Sequence, residues 1–144
     1  MKAKLIMVGL TVVLVLSLMA CSPEPAETST GISCDDFMNH KYISEQVEIN
    51  TGEFFTVKLC SNPTTGFQWT EEAQISDTGV ISQLQHEFIG PESEPPPPPG
   101  TPGQEVWTLQ ALKEGTSTVY LEYSRPWEGG EKAEWTYTLT VTVK

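Results

Sequence analysis

An all-β sandwich of about seven antiparallel strands is the fold this sequence predicts, and three observations predict it. Apolar and polar residues alternate with a period of two through most of the chain, the pattern of half-buried strands. Asn, Gly and Pro signals interrupt that alternation at short spacing, as turns between strands do. The length, 144 residues, suits one domain with its own core.

Residues 47–49 form a short first strand. Phe55, Val57 and Leu59 alternate with Thr56 and Lys58, and Phe67 and Trp69 with Gln68 and Thr70. After a turn at Gly79, Val80, Leu84 and Phe88 are expected on one face of the next strand. Trp107, Leu109 and Ala111 alternate with Thr108 and Gln110, and Val119, Leu121 and Tyr123 repeat the pattern. The clearest segment is the last: Trp135, Tyr137, Leu139, Val141 and Val143 against Thr136, Thr138, Thr140 and Thr142. Trp69, Trp107 and Trp135 are therefore core candidates. Residues 35–42 carry a poor helical signal.

Residues 1–20 read as a signal peptide, with Lys2 and Lys4 before an apolar stretch over 5–19. Its ending, Leu18-Met19-Ala20-Cys21, resembles a bacterial lipobox, so Cys21 is expected to be lipidated and to head the mature chain. An ordinary secretory cleavage nearby is the alternative. Both take the chain out of the cytoplasm, and lipidation would anchor it to the cell membrane or outer membrane. Residues 21–31 hold Pro23, Pro25, Ser and Glu and read as a flexible tether. The folded domain is expected over 32–144.

The net charge is −11 at pH 7, and losing Lys2 and Lys4 makes it more negative. An acidic surface repels phosphate backbones, which argues against nucleic acid as a partner, and it offers no polybasic membrane contact. Cys34 and Cys60 remain after Cys21, an even pair that reads as a disulfide in an exported domain. A catalytic thiol is the weaker reading, because neither has a local His. His86-Glu87 opens like a zinc-protease helix motif, but Gly90 stands where the second His belongs. No Gly-x-Ser-x-Gly elbow is present, and His40 and His86 are far apart in the chain. Neither an enzyme, nor a metal, nor a cofactor is expected.

Two segments have the character of preshaped loops. In Asn62-Pro63-Thr64-Thr65-Gly66-Phe67, Pro63 fixes one φ and Gly66 permits a positive one. A loop already rigid loses little entropy on binding. Asn62 suits a cap for its own turn, and Thr64 and Thr65 suit a partner. Arg125-Pro126-Trp127 is similar, with Gly129 and Gly130 after it. Trp127 on a turn is a hot-spot candidate, whereas Arg125 could instead brace a strand end with Glu128. A third segment, 90–103, contains prolines 95–99, expected to be extended. It is either a solvated spacer or a stiff arm presenting Gly100-Thr101-Pro102-Gly103. Alternate connections of an antiparallel sandwich return to one end, which would cluster loops 61–67, 90–103 and 124–130, as antibody domains do.

With these motifs the chain resembles the chagasin family of cysteine-protease inhibitors. Asn62-Pro63-Thr64-Thr65-Gly66-Phe67, with Trp69 behind it, is similar to that family's first inhibitory loop, and Arg125-Pro126-Trp127 to its third. The middle loop departs from the family's Gly-x-Gly-Gly type of tip, because Pro102 interrupts Gly100-Thr101-Pro102-Gly103 and removes a backbone donor. The resemblance implies an immunoglobulin-like sandwich and a monomeric, reversible inhibitor of papain-like proteases. It implies that loop 61–67 covers the catalytic Cys–His pair, that Trp127 packs on the primed side, positioned by Arg125 and Pro126, and that the proline arm clamps the other side. The competing expectation is an immunoglobulin-like adhesion or assembly module using the same loops.

Overall fold

The structure, a computed structural model, describes residues 27–93 and 95–144. The expected signal peptide 1–20, the lipidation site Cys21 and the first part of the tether lie outside the described residues. The described residues form nine strands: β1 (Thr28–Ile32), β2 (Tyr42–Ile49), β3 (Phe54–Ser61), β4 (Gln68–Trp69), β5 (Gln74–Ile75), β6 (Ile81–Ile89), β7 (Gly103–Ala111), β8 (Gly115–Ser124) and β9 (Trp135–Val143). One sheet has the order β1-β3-β7-β6; the other runs β2-β9-β8-β4, with β5 also pairing to β8. The result is an immunoglobulin-like β-sandwich.

The sandwich is the one expected, with both sheets mixed rather than antiparallel throughout. β1 joins β3 in parallel and β2 joins β9 in parallel, while the remaining ladders are antiparallel. The two N-terminal strands thus each extend one sheet at its edge. Strand β1 thus lies largely inside the segment expected to be tether, and the short strand expected over 47–49 is an eight-residue strand.

The alternation in β3, β7, β8 and β9 is the core. Phe55, Val57, Leu59, Trp107, Leu109, Val119, Leu121, Tyr137, Leu139 and Val141 are fully buried between the sheets. Each such side chain removed from water contributes about 1.5–3 kcal/mol. The face expected for Val80, Leu84 and Phe88 is not formed. Ile81 is buried, but a register shift between Gln83 and Gln85 breaks the period of β6, and Leu84 and Phe88 lie about half exposed. A bulge adds one residue and turns the following side chains over.

The weak helical signal resolves into a single turn, α1 (Cys34–Phe37). Ser33 caps it, its hydroxyl accepting from the Asp36 N–H at 3.2 Å. The expected disulfide joins Cys34 to Cys60, closing a separation of 26 residues. Such a loop corresponds to about 3.5 kcal/mol in the chain-entropy account. It pins α1 beside the end of β3, where Phe37 is buried against Trp69, Tyr123 and Trp135 at ring distances of 6.0, 5.4 and 5.2 Å.

Candidate functional site

Three connections meet at one end of the sandwich: loop 1 (residues 62–67), loop 2 (90–102) and loop 3 (125–134). Loop 1 is built by its own first residue. Pro63–Thr65 form one 3₁₀ turn with Asn62 as its cap. The Asn62 Oδ1 accepts from the Thr64 N–H at 3.3 Å and from the Thr64 hydroxyl at 2.6 Å. Its backbone carbonyl accepts from the Thr65 N–H at 3.1 Å and the Thr65 hydroxyl at 2.7 Å. Both threonine hydroxyl protons are therefore spent inside the loop, and toward a partner these groups can only accept. Pro63, Thr64 and Thr65 are exposed.

Gly66 closes the turn with φ +79°. A Cβ placed there would come within 2.5 Å of the Trp127 ring. Glycine is thus required twice, for its left-handed backbone and for the tryptophan lying on it. Trp127 presents its other surface to solvent and is 51% exposed.

Loop 3 is braced from within. The Arg125 Nη1 donates to both carboxyl oxygens of Glu131 at 3.0 and 2.8 Å, so the expected partner Glu128 is replaced by Glu131. Glu131's own backbone N–H and then the Arg125 guanidinium hold its carboxyl below the usual carboxylate range. The guanidinium lies 4.5 Å from the Phe67 ring centre and 5.9 Å from that of Trp127. Its Nη2 donates to the Thr65 carbonyl at 3.4 Å. Lys132 donates to the Arg125 and Trp127 carbonyls at 2.5 and 3.0 Å. Arg125 therefore ties loop 3 to loop 1 from a half-buried position, and exposed Pro126 leads into Trp127.

Among the described residues, loop 2 is bonded to loop 1 at its tip. The Thr101 N–H and hydroxyl both donate to the Pro98 carbonyl, at 3.2 and 2.7 Å, which folds the end of the proline run into a turn. The Asn62 side chain donates to the Gly100 carbonyl at 2.8 Å. Thr101 and Pro102 are half-buried. Gly103 is set apart from the expected tip: it is the buried first residue of β7, opposite Ser61.

An aromatic floor supports this end. Phe67 stacks on Tyr123 at 5.4 Å, and Trp69, 1% exposed, lies 5.0 Å from the same ring. The Tyr123 hydroxyl accepts from the Asn62 N–H at 2.9 Å. Between α1 and the loops, a hollow of about 340 Å³ is bordered by Met38, Thr65, Phe67, Pro102 and Arg125. Sequence reasoning missed Phe37 and Tyr123 as supports, since a helical turn outside the strands hid the first and regular alternation the second. It also missed Glu105, whose acid stands on the inward face of β7 in line with Trp107, Leu109 and Ala111.

An immunoglobulin-like sandwich that holds three loops at one end, two of them bonded to the first, defines a loop-based binding protein. The family comparison then gives the class its identity: residues 48–141 match the Chagasin family peptidase inhibitor I42, and the chain belongs to that family. It is an inhibitor of papain-like cysteine proteases and not an enzyme. Amoebiasin-2 of Entamoeba histolytica is 34% identical over 98 residues, covering 68% of this chain and 76% of its own. Chagasin of Trypanosoma cruzi is 31% identical over 98 residues, covering 64% and 86%. The fold is shared with the crystal structure of the cysteine protease inhibitor EhICP2 from Entamoeba histolytica, at a TM-score of 0.62 and 24% identity. That likeness covers 84% of this chain and all of the other. It is shared also with PbICP-C in its complex with falcipain-2, at 0.58 and 18%, covering 81% and 99%.

Proposed function

We propose that the chain blocks the active-site cleft of a papain-like protease from outside the cytoplasm, with loop 1 over the catalytic Cys–His pair, Trp127 packed on the primed side and the tip of loop 2 on the opposite side. The observation that carries this reading is that loops 2 and 3 are each tied to loop 1. Asn62 holds Gly100, Arg125 holds Thr65, and Trp127 lies on Gly66. Three segments so tied enter a cleft as one preformed wedge, with little ordering entropy to lose. The 3₁₀ turn and left-handed Gly66 also keep loop 1 out of the extended form in which a peptide is presented for cleavage. The Thr64 and Thr65 hydroxyls, their protons engaged, accept from donors of the cleft. Pro63, Phe67, Thr101, Pro102 and Pro126 shape the wedge and its rim. Gly103 would act only through the backbone at the base of loop 2.

The N-terminal ending Leu18-Met19-Ala20-Cys21 supports delivery by a signal peptide and anchoring through a lipid on Cys21. The protein would work as a monomer at the cell membrane or outer membrane. The test is inhibition of papain, measured with free enzyme and with enzyme whose catalytic cysteine carries a bulky covalent ligand. Reversible, competitive inhibition that disappears when the cleft is filled is the expected result. Unchanged binding to the blocked enzyme would sink cleft occlusion and favour an adhesion surface.

A further inference from the structure

Glu105 is the third residue of β7 and 5% exposed, on a face otherwise lined by Trp107, Leu109 and Ala111. Its Oε1 accepts from the Ser61 hydroxyl at 2.6 Å and from the Trp69 N–H at 3.3 Å. Its Oε2 lies 2.9 Å from Nε2 of His86, whose ring packs on Trp107 at 4.8 Å. Ser61 is the last residue before loop 1 and Trp69 lies just after it. They belong to different sheets: Ser61 to β3, Trp69 to β4. β4 is only two residues long, with Gln68 and Trp69 opposite Ser124 and Tyr123 of β8. The stem of loop 1 on that side therefore has little ladder of its own. One carboxyl oxygen bridges the gap between the sheets and holds both stems.

A buried acid is costly unless fully bonded, and an apolar residue would continue this face without that cost. What an apolar residue cannot supply is a directional bond to each stem. We propose that Glu105 is a positioning residue for inhibition: by clamping both stems it fixes loop 1 in the form a protease cannot cleave. The inference rests on the assignment of loop 1 as the segment that enters the cleft.

The protein and its Glu105→Ala and Glu105→Gln variants are compared for Ki against papain, for cleavage during long incubation, and for amide exchange at Thr64, Thr65 and Gly66. The glutamine carbonyl can still accept from Ser61 and Trp69, and its NH₂ can serve His86. Glu105→Ala should raise Ki roughly ten- to a hundredfold, be cut within 62–67 only, and exchange faster there while β8 and β9 stay protected. Glu105→Gln should stay within about threefold and uncut. A merely structural role would spread cleavage and exchange over the whole chain. A folded Glu105→Ala protein that inhibits as tightly as its parent and stays intact overturns the proposal. If Glu105→Ala does not fold, Ser61→Ala is read by the same criteria. If the parent itself does not inhibit papain, the assignment of the loops fails, and the loop-confined exchange still decides whether Glu105 clamps the stems.

Discussion

Loops 1 and 3 are bonded to each other and to the sandwich, whereas loop 2 is long and, among the described residues, is bonded to loop 1 at its tip. Loop 1 is held by Asn62, by Tyr123 and by Glu105 on its stems, and loop 3 by Arg125, Glu131 and Lys132. Loop 2 carries prolines 95–99 in exposed or half-exposed positions, and its contact with loop 1 runs through the Gly100 carbonyl. The contrast teaches where rigidity comes from. In loops 1 and 3 it is made by side-chain bonds to fixed partners. In loop 2 it rests on proline's restricted φ, which needs no partner. Inhibition should therefore depend steeply on the first pair and weakly on the length of the arm.

The largest effect should come from Trp127→Ala. A half-exposed tryptophan at the tip of a braced loop has the setting of a binding hot spot, and its loss should weaken inhibition by about 2–4 kcal/mol. Loop 1 should keep its own turn, because Asn62 caps it independently of Trp127. Ki against papain, with thermal melting as the control, checks both parts. A Ki within about threefold of the parent's would mean that loop 3 is a bystander and that loop 1 acts alone.

Gly66→Ala should follow, at about 1–3 kcal/mol in binding. The new methyl group meets both an unfavourable φ and the Trp127 ring. The two sites share this contact, so their effects should not add: in a Trp127→Ala background, Gly66→Ala should lose much of its penalty, leaving the backbone strain. A double-mutant cycle on Ki measures the coupling. Full additivity would break the claim that loops 1 and 3 form one unit.

Both braced loops were legible in the sequence for the same reason that they are rigid. Pro63, Gly66, Pro126 and Gly129 restrict or permit φ through their own chemistry, and local geometry can be read locally. The core strands β8 and β9 were legible because each has a buried and an outward face. Thr28–Ile32 was not, since its pairing with β3 is set by backbone bonds to a distant strand and leaves no apolar run. The exposure of Leu84 and Phe88 was hidden by a bulge that no residue of β6 announces. Glu105 was legible in principle, as an acid on an apolar face. What it bonds to could be seen only once Ser61 and Trp69 had come together from two sheets.

Removing prolines 95–97 from loop 2, with the Pro98–Thr101 turn retained, should change inhibition by less than about 1 kcal/mol. The tip keeps its bond from Asn62, and a few residues alter loop-closure entropy only slightly. Ki for the shortened chain against two papain-like proteases of different cleft width checks this. A loss as large as that of Trp127→Ala would reverse the comparison and make the arm a main clamp.

The smallest effect concerns pH. The folded-state pKa of Glu131 is depressed by its own backbone N–H and by Arg125. A depressed carboxylate adds stability that is fully present above its unfolded pKa and is lost as pH falls through the folded value. Glu131 is largely exposed, so solvent screening keeps its contribution small. Near neutral pH, Glu131→Gln should lower the melting temperature slightly and loosen loop 3. As pH drops below the ordinary carboxylate range, the two proteins should converge. Inhibition should follow the same course, since Arg125 freed from Glu131 holds Phe67 and the Thr65 carbonyl less firmly. A difference in melting temperature that stays constant down to the acid limit would show that the carboxyl group of Glu131 does not brace Arg125, and that loop 3 owes its shape to Lys132 and the backbone alone.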